Sequence, residues 1–351
     1  MLKKKKVASM VLAVALLVGM ITPCFAASGE ANSKSTLPSG DSPYTSSSVL
    51  AWTAQSFVDD AWSLNWTQAK LDNAAVTVKD GLVTLEPKSV LSFEVPVTQA
   101  GNYVIVLQYY PKNALYMNCL LDMTVNGTEY VGSLPLLWAD AYSVYGTDRK
   151  GNQLVPDQKS IEETYLDTIS NYHDTNQDDL VFAWEPGNQK VTIETESQAL
   201  MVAAVYVKKL QDLQTYAEYV AKNSGKADVT DVKTVEAERY MVKSDSFIRA
   251  TSQKNAALYP YDTYRKLLNV LESGSWKTSG QKILWEFEVE TDGYYQIGMR
   301  YLQNSDTNKP VYRTIEIDGA VPFAEWETVA FENTKINKFE NKVLDINGEP
   351  V

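Results

Sequence analysis

Apolar and polar residues alternate along most of the chain after residue 48. The pattern is clear in Leu91–Val95 (LSFEV) and continues through Tyr103–Tyr109 (YVIVLQY). Successive side chains of a strand point to opposite faces of a sheet, so this period predicts strands with one buried face. Turn residues separate the segments, and Lys79-Asp80-Gly81 and Asn126-Gly127 are typical of tight hairpin turns. Residues 49–209 are therefore predicted to form an antiparallel β-sandwich.

Two segments depart from this period and predict helices. Apolar residues recur at helical spacing between Leu210 and Ala221, and a polar stretch follows them. We therefore expect a helical linker over residues 210–231. A second helix is predicted over Thr263–Leu271, with Asp262 as its N-cap and Gly274 after its end.

The chain contains an internal repeat. Phe93-Glu-Val95 recurs as Phe287-Glu-Val289, and the strand that ends at Tyr109 matches a segment that ends at Tyr301. Each tyrosine is followed, seventeen residues later, by a turn dipeptide, Asn126-Gly127 or Asp318-Gly319. Repetition at this many ordered positions indicates two copies of one fold. The predicted class is all-β: two tandem antiparallel jelly-roll β-sandwiches joined by a short helix.

The second copy, over residues 232–351, is predicted to be truncated. About eighty residues follow the turn in the first copy, and 32 residues follow Gly319 in the second. A sandwich without its last strands would expose apolar faces and unpaired ladder edges. We therefore expect the natural chain to continue after Val351 into a further domain.

The N-terminus has the features of a secretory signal peptide. Lysines at positions 3–6 precede an apolar run from Val7 to Ile21, which is too short to span a bilayer and suits cleavage after Ala26. Residues 1–26 are thus assigned to the signal peptide. The Ser-, Thr-, Gly- and Pro-rich residues 27–48 are assigned to a flexible tether. The expected location is the extracellular surface of a Gram-positive-like bacterium, either released or with a lipid anchor at Cys24.

The net charge and the cysteine and histidine content exclude several functional classes. A net charge of −12 argues against nucleic acid and against an anionic membrane surface. Once Cys24 is removed, Cys119 is the only cysteine and His173 the only histidine, which excludes zinc sites and Cys–His nucleophilic pairs. No nucleotide-binding or serine-nucleophile motif is present. We therefore expect a protein that is not an enzyme.

The second copy resembles a known family of sugar-binding folds. The motifs are Val235-Glu236-Ala237-Glu238, Gly274-Ser-Trp276, Gly293-Tyr-Tyr and Met299-Arg-Tyr301. They are similar to the galactose-binding-like jelly roll of carbohydrate-binding modules in families 6 and 35. The resemblance implies a glycan ligand and a structural calcium held by Glu236 and Glu238. On a strand, these two carboxylates at i and i+2 share one face.

The tandem arrangement also resembles the N-terminal region of extracellular solute-binding proteins of sugar ABC transporters. That resemblance implies a non-catalytic, secreted carbohydrate-binding region within a larger transport protein. An alternative from a different class is a structural spacer or protein-docking module at the cell wall, without a glycan ligand. Exposure of the candidate tryptophans distinguishes the two hypotheses.

Candidate sugar-binding residues are aromatic, because an aromatic face packs against the C–H side of a pyranose. In the first copy they follow the predicted strand that ends at Val125, and in the second they precede the Gly-Tyr-Tyr segment. The candidates are Trp138, Tyr142, Tyr145, Tyr259, Tyr261 and Trp276. Each of these residues could instead be a packing aromatic of the core or of a loop.

Overall fold

The computed structural model describes residues 35–230, 232–272, 274–303 and 309–334, together with the backbone of residues 7–11. Within these ranges strands predominate, and α-helix is confined to α1 (Ser46–Leu50) and α2 (Tyr216–Lys222). The predicted all-β class is confirmed. No helix in the described part of the chain has the length and apolar character needed to cross a bilayer. The predicted cleavage site, Cys24 and Val351 lie outside the described residues.

The first copy folds as two antiparallel sheets that enclose a common core. One sheet has the order β13 (Ser170–Asn171), β9 (Thr128–Leu134), β8 (Cys119–Val125), β15 (Gly187–Thr195), β6 (Val90–Val97), β3 (Lys70–Leu71) and β4 (Ala74–Ala75). The other has the order β12 (Tyr165–Thr168), β7 (Gly101–Pro111), β16 (Leu200–Lys209) and β2 (Trp62–Ser63), with β14 (Phe182–Trp184) on β7 and β5 (Val83–Leu85) on β16.

Along the strands, every second side chain points into this core. Leu91, Phe93 and Val95 of β6 are buried and pack with Ile105 and Leu107 of β7. The hairpin between β8 and β9 turns at Asn126 and Gly127, whose φ angles are 52° and 86°. A two-residue turn with positive φ at both positions matches the twist of paired strands. Asn and Gly adopt positive φ readily, so the Asn-Gly dipeptide predicted this turn.

The predicted linker helix begins later than expected. β16 extends to Lys209, and the N–H of Leu210 donates to the carbonyl of Asn102 at 2.8 Å, so this end remains tied to the sheet. Helix α2 starts after Thr215, whose side chain caps the backbone while Glu218 accepts from the Thr215 N–H at 2.7 Å. This capping box fixes the helix start at Tyr216.

The predicted helix over Thr263–Leu271 is wrong. Asp262 accepts hydrogen bonds from the N–H groups of Tyr264 and Arg265 at 2.7 and 2.8 Å, which closes a local turn without a following helix. Its last two residues form β19 (Val270–Leu271), which pairs with β18 (Ala250–Thr251). Pairing with β18 therefore prevails over the helical spacing of the apolar residues in this segment.

The second copy has one sheet that continues into the first. Its order is β11 (Gln158–Ser160), β10 (Trp138–Asp140), β17 (Val242–Lys243), β20 (Ile283–Glu288), β1 (Val7–Val11) and β22 (Glu316–Ile317), and β21 (Val311–Arg313) pairs with β23 (Val329–Phe331) elsewhere. Strands β10 and β11 belong to the first copy. A small core that includes Tyr240, Ile283 and Trp285 lies under this sheet.

Two predicted strands of the second copy are absent from the described residues. The segment Tyr295–Tyr301, which matches β7 in the repeat, has no ladder partner. The opening segment forms a turn instead of a strand, since the N–H of Arg239 donates to the carbonyl of Glu236 at 2.9 Å. The repeat thus predicted the order of motifs but not the pairing of these segments.

The described part of the predicted tether contacts the first sandwich. The N–H of Thr36 donates to the carbonyl of Thr147 at 2.9 Å, and Ser42 donates to the carbonyl of Asp140 at 2.6 Å. Helix α1 then begins after Thr45 with a capping box. Residues 35–48 are therefore packed along a loop, because their backbone groups find partners that the sequence pattern does not reveal.

The chain after α1 lies between the two copies. Ser48 donates to the carboxylate of Glu286 at 2.5 Å, and the N–H of Ala54 donates to the carbonyl of Gly319 at 3.0 Å. Gly319 has φ of +74°, and a Cβ there would lie 2.4 Å from the Ala54 nitrogen. Only glycine allows this approach of the two backbones.

A charged cluster occupies the same interface. The indole N–H of Trp52 donates to Asp167 at 2.8 Å, and the Lys282 ammonium donates to the Trp52 carbonyl at 2.9 Å and pairs with Glu316 at 2.6 Å. Burial raises the pKa of Asp167, while Lys282 and the Trp52 N–H act in the opposite direction. Lys282 therefore has a carboxylate partner in Glu316, and the buried Asp167 carboxyl accepts a hydrogen bond from Trp52.

A second buried pair joins β10 to β17. The Lys243 ammonium lies 3.8 Å from a carboxylate oxygen of Asp140 and donates to the Tyr240 hydroxyl at 3.1 Å and to the Ile248 carbonyl. The Tyr240 hydroxyl in turn donates to Asp140 at 2.8 Å. Burial lowers the pKa of Lys243 to about 7, and the Asp140 carboxylate opposes that shift.

Candidate functional site

A cleft of about 260 Å³ lies where the two copies meet. Its walls come from the segment before β8, from β10, from the loop after β13, from the loop after β17 and from the loop before β20. The lining residues are Tyr116, Met117, Asn118, Trp138, Gln177, Ser244, Asp245, Ser246, Phe247, Thr278, Ser279, Gly280 and Gln281. The cleft is therefore built by both copies and combines aromatic rings with amides, hydroxyls and one carboxylate.

Tyr116 is the aromatic platform of this cleft. Its ring stacks on the Trp138 indole, with centroids 5.2 Å apart and planes inclined by 13°. Tyr116 is 67% exposed, whereas Trp138 is 5% exposed and belongs to the core of the first sandwich. One face of the tyrosine is thus fixed by a buried ring, which leaves the opposite face for a ligand.

The loop after β17 supplies a second exposed ring, Phe247, which is 63% exposed. The carboxylate of Asp245 accepts from the Phe247 N–H at 2.8 Å and from the Gln281 side-chain amide at 2.7 Å. Gln281 also accepts from the N–H groups of Lys277 and Thr278, each at 2.9 Å. These bonds hold the two loops in place before any ligand arrives, which reduces the ordering cost of binding.

The polar groups of the cleft retain hydrogen-bonding capacity. Each carboxylate oxygen of Asp245 accepts one of the bonds above and has a further lone pair. The amide of Asn118 donates to the Ser133 hydroxyl at 3.2 Å, and its oxygen provides an acceptor. Aromatic faces beside such fixed acceptors suit a neutral polyhydroxylated ligand.

A second hollow, of about 300 Å³, is lined by Tyr44, Lys159, Ser160, Glu162 and Glu163. The Lys159 ammonium lies 5.4 Å from the centroid of the Tyr44 ring, so a cation occupies the aromatic face there. The cleft between the copies is the better candidate because its aromatic face is open.

The predicted aromatic residues of the first copy divide between buried and exposed positions. Trp138 lines the cleft but supports Tyr116 instead of presenting an open face. Tyr145 is buried: its hydroxyl donates to the Glu238 carbonyl at 3.1 Å, and the Arg239 guanidinium covers its ring at 4.3 Å. Tyr142 is exposed and does not line the cleft. Their roles in binding remain predictions.

In the second copy, Tyr259 and Tyr261 are exposed on a loop that does not line the cleft. Trp276 is half-buried against the second core. The Arg313 guanidinium lies 4.6 Å from the centroid of the Trp276 ring and covers one of its faces. The geometry therefore assigns packing contacts to Trp276, and its role in sugar binding also stays a prediction.

The predicted calcium ligands do not share a strand face. Glu236 and Glu238 lie in the turn before β17. Glu238 is 2% exposed, one of its carboxylate oxygens has no hydrogen-bond partner, and burial raises its pKa to about 7. Such an oxygen could coordinate a cation. In the described ranges, however, no group of three acidic, histidine or cysteine residues has metal-binding geometry. Calcium binding stays a prediction.

Sequence reasoning missed Tyr116 and Phe247. Tyr116 lies in the apolar run Ala114-Leu115-Tyr116-Met117 just before β8, and Phe247 follows Ser244-Asp245-Ser246. An aromatic residue directly after a polar run, as at Phe247, is a usable signal for an exposed contact residue. The proximity of the two loops, however, depends on how the two copies pack together.

Comparison with solved structures finds carbohydrate-binding modules among similar chains. A CBM35 from Cellvibrio japonicus Abf62 aligns with a TM-score of 0.26 and 12% identity, over 43% of this chain and 94% of that one. The mannan-binding module from Man5C aligns with a TM-score of 0.25 and 15% identity, over 43% of this chain and 99% of that one.

A cycloisomaltooligosaccharide glucanotransferase of Paenibacillus sp. aligns with a TM-score of 0.30 and 12% identity, over 52% of this chain and 21% of that one. The chain thus spans about a fifth of that enzyme's length. No protein-family model and no curated protein matches the chain. At these TM-scores, function has to be inferred from the geometry of the cleft itself.

Proposed function

We propose that the chain is a carbohydrate-binding region whose glycan lies in the cleft between the two sandwiches. The ligand's apolar C–H face would pack on the free face of Tyr116, with Phe247 as a second contact. Its hydroxyls would donate to Asp245 and Asn118. The observation that supports this proposal is the exposed Tyr116 ring, held flat against buried Trp138 at a centroid distance of 5.2 Å.

The chemistry of the cleft favours a neutral sugar. The chain has a net charge of −12, and Asp245 adds a carboxylate at the cleft itself, so an anionic glycan would be repelled. The volume of about 260 Å³ is slightly below the ~300–1,000 Å³ typical of ligand pockets. We infer that one sugar unit is enclosed and that adjacent units extend into solvent.

The proposed role is binding without turnover. Asp245 is the one acidic residue among the cleft-lining residues, and its oxygens already hold the Phe247 N–H and the Gln281 amide. Most glycoside hydrolysis uses two carboxyl groups that flank the bond to be broken. The composition of the cleft therefore suits recognition better than catalysis.

The wider context is also part of the proposal. Secretion to the cell surface and membership of a larger sugar ABC transporter protein follow from the predicted signal peptide and the stated resemblance. A structural calcium at Glu236 and Glu238 belongs to the same resemblance. These three statements are independent of the cleft, and each needs its own experiment.

Glycan binding tests the proposal directly. The purified chain is titrated calorimetrically with a panel of neutral oligosaccharides, alongside Tyr116→Ala, Phe247→Ala and the control Tyr264→Ala. Tyr264 is 91% exposed and does not line the cleft. We expect Tyr116→Ala to weaken binding about tenfold or more, which is ~1.4 kcal/mol, and Tyr264→Ala to leave it unchanged.

Two results would contradict the proposal. If the parent chain binds no glycan of the panel, the spacer hypothesis is preferred. If Tyr264→Ala weakens binding and Tyr116→Ala does not, the glycan binds at the tyrosine-containing loop of the second copy and not in the cleft.

A further inference from the structure

The cleft between the two copies contains a negative charge that no cation of the protein balances. Asp245 is the only charged residue among the described residues that line the cleft. In the described part of the chain, no lysine or arginine forms an ion pair with its carboxylate. The two donors that it does have, the Phe247 N–H and the Gln281 side-chain amide, are neutral. Its charge is therefore available to a ligand.

The nearest cations along the chain are engaged elsewhere. Lys243, two residues before Asp245, is fully buried, and its ammonium lies 3.8 Å from a carboxylate oxygen of Asp140. The Arg249 guanidinium donates to the carbonyl of Ser246 at 3.2 Å. The segment that carries Asp245 therefore supplies no positive group to the cleft itself.

A sugar bound in the cleft would exclude water from the Asp245 carboxylate. Removing a charge from water is unfavourable unless the charge is paired and hydrogen-bonded. The hydroxyls of a neutral sugar supply hydrogen bonds but no charge. A protonated amino group supplies both, because it has three N–H donors and each Asp245 oxygen has a further lone pair. Charge-assisted hydrogen bonds of this kind are about twice as strong as neutral ones.

The exposed rings of the cleft also favour a cation. Tyr116 is 67% exposed and Phe247 63% exposed, and the faces of aromatic rings attract positive charge. Within the described ranges, no lysine or arginine lies over either ring, whereas arginines cover the rings of Tyr145 and Trp276. Both aromatic contacts of the cleft are thus open to a positively charged ligand.

The remaining features of the cleft require a sugar ring as well as a cation. The flat Tyr116 ring provides area for the C–H face of a pyranose, and the Asn118 amide oxygen is an acceptor for a hydroxyl. A small alkylammonium ion would use Asp245 and leave these groups without contacts. The volume of about 260 Å³ suits one sugar unit.

We propose that the cleft prefers an amino sugar, protonated at its nitrogen, over the same sugar with a hydroxyl at that position. The ammonium would donate to Asp245, while the C–H face of the ring packs on Tyr116. A neutral sugar would occupy the same place with lower affinity. The net charge of −12 adds a general attraction for a cationic ligand. This inference rests on the proposed function and names the class of sugar that the same site selects.

The test uses three matched pairs of monosaccharides: glucose and glucosamine, galactose and galactosamine, and mannose and mannosamine. The purified full chain is titrated calorimetrically at pH 6, where the sugar amine is protonated, at low and at high sodium chloride. Ethanolamine provides a cation without a sugar ring. The variants are Asp245→Asn, which keeps an acceptor oxygen for the Phe247 N–H, and the control Glu129→Gln, which removes one exposed charge of β9.

In at least one pair, we expect the amino sugar to bind about fivefold or more tightly than its parent hexose. High salt should reduce this preference, since the ion pair forms at a solvent-accessible cleft. Asp245→Asn should abolish the preference, and Glu129→Gln should retain it. Ethanolamine should bind about tenfold or more weakly than the preferred amino sugar, because it makes no contact with the Tyr116 face.

The inference is overturned if no amino sugar binds more tightly than its parent hexose, or if ethanolamine binds as tightly as the amino sugar. It is also overturned if Glu129→Gln lowers the preference as much as Asp245→Asn. Should Asp245→Asn fail to fold, the salt series on the parent decides, and a preference that salt does not change refutes the ion pair. Neutral oligosaccharides that bind without any preference for amino sugars refute this inference alone. Failure of every sugar to bind refutes the proposed function as well.

Discussion

Tyr116 and Trp138 form a stacked pair in which one ring is exposed and the other is buried, with centroids 5.2 Å apart and planes inclined by 13°. The buried indole belongs to the core of the first sandwich, and the exposed phenol faces the cleft between the copies. Packing in the core therefore sets the orientation of a ring that is available to a ligand.

Removal of the supporting ring should affect both stability and binding. Trp138→Ala deletes a buried side chain and should cost about 3–5 kcal/mol of unfolding free energy. It should also weaken glycan binding about as much as Tyr116→Ala, because the phenol loses its support. Trp138→Phe should retain most of the affinity. The measurements are urea unfolding and calorimetric titration, and a folded Trp138→Ala chain with parental affinity would contradict the role of the pair.

The buried lysine between β10 and β17 should make stability depend on pH. Burial lowers the pKa of Lys243 to about 7 from an ordinary 10.5, so between these values the unfolded chain holds a proton that the folded chain does not. Unfolding free energy should therefore rise with pH from about 7 upward, and fall as pH decreases toward 7. Lys243 alone can change the unfolding free energy by at most about 1.4 kcal/mol per pH unit.

Lys243→Met is the matched variant for this prediction. It keeps an unbranched side chain of similar length and removes the charge, while Asp140 keeps its bonds from Tyr240 and Gln158 at 2.8 and 2.9 Å. Urea unfolding of the parent and of Lys243→Met at pH 7, 8 and 9 gives the change in unfolding free energy per pH unit for each protein. We expect a smaller change for Lys243→Met. Equal changes would show that Lys243 does not titrate in this range.

The indole N–H of Trp52 should stabilise the first sandwich beside its contact with the second copy. Trp52→Phe removes the donor to the buried carboxyl of Asp167 and should cost about 1–3 kcal/mol. Trp66→Phe, at a half-buried tryptophan of the first sandwich, is the control for loss of an indole. In a double-mutant cycle with Asp167→Asn, the two changes should be non-additive; additive effects would mean that the hydrogen bond does not stabilise the fold.

Substitution of Trp276 distinguishes a sugar-binding role from a packing role for this residue. As a sugar-binding residue, it should lose glycan affinity on substitution by alanine. The Arg313 guanidinium on its face predicts instead a loss of about 2–4 kcal/mol of stability with unchanged affinity. Trp276→Ala and Trp276→Phe are compared by thermal unfolding and calorimetric titration. A loss of affinity in a stably folded Trp276→Ala chain would restore the sugar-binding assignment.

The calcium prediction has a simple solution test. If Glu236 and Glu238 bind calcium, millimolar calcium added to EDTA-treated protein should raise the unfolding temperature, since a ligand of the folded state alone stabilises it. The rise should vanish in Glu238→Gln and persist in Glu272→Gln, a surface control. An unfolding temperature that does not respond to calcium would rule out a calcium site in the folded chain.

The repeat predicted more of the first copy than of the second. Alternation in Leu91–Val95 and the Asn126-Gly127 turn produced the expected strands and hairpin, because strand period and positive φ are local properties. The predicted helix over Thr263–Leu271 failed because the Asp262 side chain closes a turn and β19 pairs with β18. A local pattern cannot report a partner that lies twenty residues away.

The amino-acid sequence by itself determined the all-β class and the positions of tight turns such as Asn126-Gly127, since alternation and the φ preferences of Gly and Asn act within a few residues. Only the tertiary structure decided that Trp138 is buried beneath Tyr116, that Lys243 of one copy pairs with Asp140 of the other, and that Phe247 lies at the same cleft as Tyr116. These relationships depend on which faces of distant segments meet. That choice is made by the burial of apolar surface and the pairing of buried charges over the whole chain.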